Sequence, residues 1–268
     1  MSSSIVCLIG DAPNHLALVH AINQKFGVKG LVIDTKKSVL KRYARPFCLK
    51  LKEKFLFGKI NKAWHSMQKF YSHSTREIEV EKVLRVNSIN DPQVISFLQD
   101  TKPDLIVVSG TSIIKEPLVS FPLRVGMLNL HTGLSPYVKG GPNCTNWCIA
   151  NNEWEYIGNT IMWLSRGIDS GNIIASETVD VFDEMDLAQI QIAVMKHAHD
   201  LYIRAIEYVV ISSEPWQSVP QSEFGPGRLF QTYMWNDEQK RWLLKNLKKR
   251  RMNREKAPVQ CVSLPNLK

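Results

Sequence analysis

The chain has 268 residues, of which 44% are hydrophobic and 22% are charged. This length and composition predict one core domain of about 200 residues with an appendage, and they exclude a collagen, a disulfide scaffold and a wholly disordered chain. No apolar run approaches the roughly 20 residues that cross a bilayer. The first apolar run, Ile5–Gly10, follows a serine run without basic residues, so it predicts a strand rather than a signal peptide.

The chain has five cysteines, an odd number, and they lie at scattered positions. Only Cys144 and Cys148 lie close in sequence, one helical turn apart, and a single pair of this kind predicts two small buried helix residues rather than a metal site. Without a disulfide framework or a leader segment, we expect a reducing, cytoplasmic location and no bound metal.

The formal net charge of +9 is concentrated in two segments. Residues 36–69 contain eleven Lys/Arg and one acid, and residues 238–268 contain ten Lys/Arg and two acids. The remainder of the chain is therefore acidic. Two interpretations stay open: the segments bind anions such as nucleotide phosphates, nucleic acid or an acidic membrane surface, or they form solvated helices.

The predicted elements alternate between strand and helix through the first half of the chain. In order they are a strand at 5–10, a helix at 16–26, a strand at 31–34, amphipathic helices at 36–71 with breaks at Arg45–Pro46 and Gly58, a strand within 78–86, a helix at 91–98, and strands at 103–110 and 125–131. The second half holds strands at 159–164 and 173–181, a helix at 188–210 and a basic helix at 237–254. This order predicts a Rossmann-like α/β fold, a mostly parallel sheet with helices on both faces.

Three polar residues stand at predicted strand ends. Asn129 and His131 are two apart on one strand, so their side chains share a face, and Asp169 lies in the turn Gly167–Gly171. An amide that donates to a developing oxyanion, an imidazole that manages protons and a carboxylate that accepts one from an amine can together transfer an acyl group. From residue types alone, a turn asparagine, a buried histidine and a turn aspartate explain the same pattern.

Two motifs around these residues favour the catalytic interpretation. Residues 129–141 read NLHTGLSPYVKGG, and residues 158–174 read GNTIMWLSRGIDSGNII. This pair of motifs resembles the two signatures of the folate-dependent formyltransferases, and residues 103–110 resemble the strand before that family's folate pocket. The resemblance covers residues 100–210 well and the first 35 residues by pattern. It departs from the family at Gly133–Pro136 and at Lys139.

The resemblance implies a fold, a donor and a set of site residues. It implies a formyltransferase catalytic domain at 1–210, with 36–71 as a basic helical insertion and 211–268 as a small basic C-terminal extension. It implies N10-formyltetrahydrofolate as the formyl donor. The implied residues are Asn129, His131 and Asp169 for catalysis, Ser112, Ile113, Ile114, Ser165, Gly167 and Ile168 for the reduced folate, and Lys139, Gly140 and Gly141 for the acceptor.

The departures from the family bear on the acceptor. Asp11 and Pro13 stand where members that formylate glycinamide ribonucleotide carry a phosphate loop, and a carboxylate repels phosphate while a proline removes an amide donor. Methionyl-tRNA enzymes of the family carry a C-terminal barrel of about 100 residues, whereas 58 residues follow Val210 here. The resemblance therefore implies a nucleotide-linked amino sugar, formylated for surface polysaccharides such as the lipopolysaccharide O-antigen, a homodimer, and no nucleic-acid partner.

Several alternatives and assignments stay open at this point. The alternatives are a methionyl-tRNA or other small-amine formyltransferase, a formyltetrahydrofolate hydrolase, and a non-enzymatic basic protein that binds nucleic acid or membrane. We expect residues 36–69 to open on the carboxyl edge of the sheet and the tail 240–254 to be dispensable for catalysis. Either Met162 or Trp163 must point toward the site. His15, His20, His197 and His199 receive no role, the first two as surface residues and the others as remote from the motifs.

Overall fold

The computed structural model describes residues 3–35, 47–72, 79–212, 215–249 and 259–265, with side chains from residue 56 onward in the second of these ranges. The predicted break at Arg45–Pro46 lies outside the described residues. In the part of the chain that is described, none of the helices has the length and apolar character needed to cross a membrane.

A seven-stranded sheet forms the centre of the molecule, with strand order β3-β2-β1-β4-β5-β7-β8. The first five strands pair in parallel, and β7 and β8 join antiparallel at one edge. Two further short strands, β6 and β9, pair in parallel outside this sheet. The mostly parallel, Rossmann-like α/β prediction is confirmed. The strands are β1 Ile5–Gly10, β2 Gly30–Asp34, β3 Lys82–Val86, β4 Leu105–Ser109, β5 Gly126–His131, β6 Lys139–Gly140, β7 Gly158–Trp163, β8 Ile173–Thr178 and β9 Leu229–Phe230.

The α-helices in the described ranges are α1 Pro13–Phe26, α2 Phe47–Ser72, α3 Pro92–Thr101, α4 Cys144–Ala150, α5 Leu187–Ile211 and α6 Asp237–Lys249. Helix α1 begins before the predicted residue 16, because Pro13 occupies its first turn, where a missing N–H costs nothing. Helix α3 is capped as predicted, since the Asp91 carboxylate accepts a hydrogen bond from the Gln93 amide at 3.0 Å. The predicted residues 250–254 of α6 lie outside the described ranges.

Gly58 does not break the basic segment, contrary to the prediction. It lies inside α2, which runs without interruption and packs on α1 and α5. A glycine in a helix costs about 1 kcal/mol relative to alanine. Phe57 and Ile60 on either side of it are buried, and burial of side chains of this size outweighs that cost.

Both faces of the sheet are covered, which explains why its central strands are continuously apolar. On β1, Ile5, Cys7 and Ile9 pack in the cluster that contains α1 and α5, whereas Val6 and Leu8 pack in the cluster that contains α3. Successive side chains of the strand still point to opposite faces of the sheet, but both faces are buried, so none of these positions is polar. The same holds for other parallel sheets.

A tyrosine hydroxyl joins β4 and β5 just before the site. Tyr202 of α5 is fully buried; its Oη lies 2.9 Å from the Val108 amide nitrogen and 2.5 Å from the Leu128 carbonyl oxygen. The hydroxyl accepts from the first group and donates to the second. Because Val108 is paired with Asn129, this contact fixes the two strands where β5 delivers its polar side chains.

Tyr202→Phe removes one hydroxyl and leaves the Val108 amide and the Leu128 carbonyl buried without that partner. We expect the free energy of unfolding to fall by about 1–3 kcal/mol, the cost of unpaired buried polar groups. Urea unfolding measures this change. Tyr233→Phe is the control because Tyr233 is 74% exposed. Equal stability of the two variants would contradict the assigned contact.

Candidate active site

A cavity of about 580 Å³ opens at the carboxyl ends of β4 and β5. Open α/β sheets bind their ligands at this edge, and the volume lies within the range of small-molecule sites. Every site residue predicted from the sequence lines the cavity except Lys139. The lining includes Asn129, His131, Asp169, Ser112, Ile113, Ile114, Ser165, Gly167, Ile168, Gly140 and Gly141.

Asn129, His131 and Asp169 are in direct contact at the floor of this cavity. The Asn129 amide nitrogen lies 3.4 Å from Asp169 Oδ1, and His131 Nδ1 lies 3.2 Å from Asp169 Oδ2. The backbone amide of Gly140 also donates to Oδ2, at 3.0 Å. Three donors from two strands therefore surround one carboxylate whose side chain is only 15% exposed. A carboxylate removed from water to this extent needs hydrogen-bond donors in place of the lost water molecules.

The surroundings of His131 fix its ring. Nε2 lies 3.0 Å from the Val138 carbonyl oxygen, which can only accept, while Nδ1 faces the Asp169 carboxylate. A ring protonated at both nitrogens satisfies both acceptors. The Cys144 thiol is 3.5 Å from Nε2, and burial raises the pKa of this thiol well above its usual range, so it remains uncharged.

The turn that carries Asp169 has an unusual backbone. Asp169 has φ +45°, in the left-handed region, and a Cβ at Gly171 would lie only 1.7 Å from the Trp163 carbonyl oxygen. Gln221 Nε2 donates to the carbonyl oxygens of Asp169, at 2.8 Å, and of Gly171, at 2.9 Å. The sequence did not point to Gln221, because it follows the turn by about 50 residues and carries no charge.

The residues assigned to the folate line two loops that face each other across the cavity mouth. Ile113 and Ile168 stand on opposite loops with 59% and 41% of their surface exposed. An ion pair of 2.7 Å between Arg166 and Glu116 joins the same two loops. The Ser112 amide donates to the buried Asp34 carboxylate at 2.8 Å, which fixes the start of its loop.

Lys139 does not line the cavity, unlike Gly140 and Gly141. It belongs to β6, opposite Leu229 of β9. Its side chain runs beside Gly227, with Cε 3.2 Å from the position that a Cβ of Gly227 would take. Pairing of β6 with β9 thus places this side chain against the C-terminal part of the chain.

His15 lies at the cavity, contrary to its interpretation as a surface residue. His15 lines the cavity; its Nδ1 is 3.0 Å from Ser109 Oγ, and its ring covers Gly110. His199 contacts Tyr71, with 5.1 Å between ring centroids. Burial, and secondly the charge of His15, lowers the pKa of His199 to about 3, so this ring is neutral. The sequence could not show that α1 and α5 meet at this point.

Trp64 brings the basic segment to the site. It lies on α2, lines the cavity and is 36% exposed. Thr232, from the segment after β9, lines the cavity as well. The described residues of the lining include no Lys or Arg. The basic segment therefore contributes an indole to the described cavity wall rather than a charge.

The register of β5 and β7 identifies which side chain faces the site. Met162 is paired with Asn129, so both lie on one face of the sheet, and Met162 Sδ is 3.8 Å from Gln221 Nε2. Trp163 lies on the other face and packs against Trp216, with ring centroids 5.7 Å apart.

Helix α6 is built into the core. Leu243 is fully buried, and the Asn246 side chain donates to the carbonyl oxygens of Ile149 and Ala150 at the end of α4. The described part of the tail therefore supports α4, and the dispensability of residues 240–254 for catalysis stays a prediction. Cys144 and Cys148 of α4 are buried, as predicted. Among the described residues, no group of His, Cys, Asp and Glu could hold a metal ion.

Comparison with known proteins gives related sequences and related folds. A family model described as "Formyl transferase" matches residues 52–206. The methionyl-tRNA formyltransferase of Clostridium perfringens is 30% identical over 134 residues, which cover 50% of this chain and 42% of that protein. The matched stretch is thus less than half of that relative.

Solved structures share the fold at low identity. A 4-N formyltransferase from Francisella tularensis aligns with TM-score 0.58 and 17% identity, covering 92% of this chain and 88% of that one. The sugar 3N-formyl transferase WlaRD, solved in the presence of dTDP and 5-N-formyl-THF, aligns with TM-score 0.54 and 15% identity, covering 87% and 72%. Because the family model spans more than half of the chain and the fold agrees, this protein belongs to the formyl transferase family.

Proposed function

We propose that this protein transfers a formyl group from N10-formyltetrahydrofolate to the amine of a nucleotide-linked amino sugar. One observation carries the proposal: the Asp169 carboxylate meets Asn129 and His131 at the floor of a cavity of about 580 Å³. Formyl transfer to an amine needs an acceptor for the amine proton and donors for the formyl oxygen, and these three side chains are of those types.

The roles follow from the contacts. Asp169 accepts the proton that the attacking amine loses. Asn129 keeps one amide hydrogen toward Asp169 and uses the second to donate to the oxygen that gains negative charge. His131, held between the Val138 carbonyl oxygen and Asp169, orients the carboxylate that receives the proton. All three groups are oriented before substrate binds, which reduces the reorganisation that the reaction requires.

The two loops at the mouth suit a flat, partly apolar donor. N10-formyltetrahydrofolate supplies an activated formyl group and a fused ring edged with hydrogen-bonding groups. Ile113 and Ile168 offer exposed apolar surface on the two loops, and residues 111–114, Leu164, Ser165 and Gly167 line the same cavity as Asp169. We expect the donor to bind between these loops, with its formyl end at Asn129.

The acceptor assignment is supported by the extent of the structural match and by the turn before α1. The sugar 3N-formyl transferase aligns over 87% of this chain and 72% of its own length, whereas the methionyl-tRNA formyltransferase matches over 42% of its length. Pro13 removes one amide from the start of α1, and Ala12 provides no side-chain cap, so this turn is poorly suited to a phosphate. The acceptor's phosphates then lie outside the described cavity lining, where Lys139 and the basic segments are candidates.

A methionyl-tRNA acceptor is the second candidate, because the sequence match at 30% identity is to enzymes of that name. In the leading proposal the protein works in the cytoplasm and its product is a formamido sugar for surface polysaccharides. A homodimer remains part of the proposal.

Asn129→Ala, His131→Ala and Asp169→Ala are each expected to lower kcat by about a hundredfold or more, with donor affinity little changed. Each removes a group used mainly in the transition state, so the loss falls on the chemical step. Single-turnover kinetics and calorimetric titration of a formylated or deaza folate measure the two quantities. Near-normal turnover in His131→Ala would contradict the assigned roles, and so would the absence of any reduced-folate binding.

The acceptor is tested with a deoxythymidine-diphosphate amino sugar and with charged methionyl-tRNA, followed by mass spectrometry of the products. We expect the sugar amine to be formylated, and Trp64→Ala to raise its KM by about tenfold with a smaller change in kcat, as for a ground-state contact. Trp242→Ala is a matched control, because Trp242 is 43% exposed on α6 and does not line the cavity. Formylation of the tRNA alone would overturn the acceptor assignment.

A further inference from the structure

We propose that Gln221 is a positioning residue for Asp169, and that the segment 216–230 forms part of the active site. We call this segment the C-terminal strap. The inference rests on the proposed function in so far as Asp169 takes part in catalysis. It assigns a task to a part of the chain that the sequence placed in an appendage after the catalytic domain.

The contact itself is specific. One amide nitrogen of Gln221 donates to two carbonyl oxygens, those of Asp169 at 2.8 Å and Gly171 at 2.9 Å. An amide nitrogen has two hydrogens, so both are used. The two carbonyl groups lie on either side of Ser170. The Gln221 side chain therefore holds the backbone of the turn both before and after this residue.

The turn needs an external contact of this kind. Asp169 adopts φ +45°, a conformation that costs free energy for a residue with a Cβ and persists where surrounding structure fixes it. In this conformation the Asp169 carboxylate reaches His131 and the Gly140 amide. A turn that relaxed would move the carboxylate away from both.

The other end of Gln221 shows that packing alone does not explain the residue. Its Oε1 atom is enclosed and has no hydrogen-bond partner among the described residues. A buried polar atom without a partner costs about 1–3 kcal/mol, which a leucine or methionine at this position would avoid. The chain therefore tolerates an unsatisfied acceptor while the nitrogen holds the turn.

Backbone hydrogen bonds place Gln221. Val219, two residues earlier, exchanges two hydrogen bonds with Ile173, both of 2.8 Å. Because Ile173 starts β8 directly after the Asp169 turn, the strap is fixed to the same end of the sheet that carries the turn. The side chain of Gln221 thus needs to span only a short distance.

The far end of the strap supports the carboxylate from the opposite side. The Lys139 amide donates to Arg228 O at 2.9 Å and the Gly141 amide donates to Phe230 O at 3.0 Å, which holds β6 against β9. Between them, the Gly140 amide donates to Asp169 Oδ2 at 3.0 Å. Arg228 is anchored by an ion pair of 2.6 Å with Glu153. The strap therefore holds the Asp169 backbone through Gln221 and the Asp169 carboxylate through β6.

The test compares Gln221→Leu and Gln221→Glu with the control Gln217→Leu, which changes an exposed glutamine of the same strap. We expect Gln221→Leu to lower kcat by about a hundredfold, the effect of a displacement near 1 Å at a reacting group. The loss should fall on kcat more than on the KM for donor or acceptor, because Gln221 contacts the backbone of Asp169 and Gly171 and none of the side chains assigned to binding. Gln217→Leu should behave as the wild type.

Gln221→Glu separates positioning from a general loss of structure. An ionised glutamate has only acceptor oxygens, so it cannot bond the two carbonyl oxygens that Gln221 holds. A protonated glutamate has one O–H group, which can donate to one of these carbonyl oxygens. The ratio of kcat for Gln221→Glu to kcat for Gln221→Leu should therefore rise as the pH is lowered from about 8 toward about 5, through the range in which a buried carboxyl titrates. A flat ratio, or wild-type kcat in Gln221→Leu, would overturn the proposal.

Amide hydrogen exchange gives a readout that does not depend on the reaction. In Gln221→Leu the peptide covering residues 164–172 should exchange faster than in the wild type, and in Gln217→Leu it should not. Unchanged exchange in Gln221→Leu would refute the clamp whatever the acceptor is. Faster exchange in a protein whose wild type transfers no formyl group would keep the clamp and reject the proposed function.

Discussion

The site depends on holding one carboxyl group in a nearly enclosed position. Asp169 exposes 15% of its side chain, and a polar group buried to this extent is stable only when hydrogen bonds replace the lost water. Asn129, His131 and the Gly140 amide provide that replacement. They come from β5 and β6, while the carboxylate comes from the turn before β8 and the contact that clamps this turn comes from the C-terminal strap. Four parts of the chain therefore have to be folded correctly for the Asp169 carboxyl group to be held in this position.

The turn after β7 folds back across β5 to create this meeting point. Strands β1 to β5 run parallel, and β7 pairs antiparallel with β5, from Thr160 beside His131 to Trp163 beside Leu128. The turn that follows starts at the other end of β5 and returns Asp169 to Asn129 and His131. Tyr202 of α5 holds β4 and β5 together, and α2, which packs on α5, adds Trp64 to the cavity lining. The same arrangement leaves the described lining with His15, His131 and Asp169 as its only ionisable side chains besides hydroxyls.

Local pattern in the sequence was enough to predict the sheet and the main helices, whereas the grouping of Asn129, His131 and Asp169 rested on the resemblance of two motifs to a known family. Buried strands are continuous apolar runs, and Asn129 and His131 are related by the two-residue period of one strand. What depended on tertiary contact could not be predicted. Gly58 marks a break by local propensity, but packing of Phe57 and Ile60 overrides it. Lys139 was assigned to the acceptor by its place beside β5, and the pairing of β6 with β9 that keeps it out of the cavity lining could not be predicted. Gln221 has no local signal at all, because its partners are backbone carbonyls distant in sequence.

A double-mutant cycle between Asp169 and Gln221 tests the account most directly. The kcat of Asp169→Asn, Gln221→Leu and the double variant would be compared with that of the wild type, with thermal unfolding used to verify that all four proteins are folded. If Gln221 acts through Asp169, the double variant should be no slower than Asp169→Asn within about twofold, since positioning a side chain without its charge has no further effect. Losses that multiply, so that the double variant is slower by the product of the single effects, would show that the two residues act independently and would contradict the account.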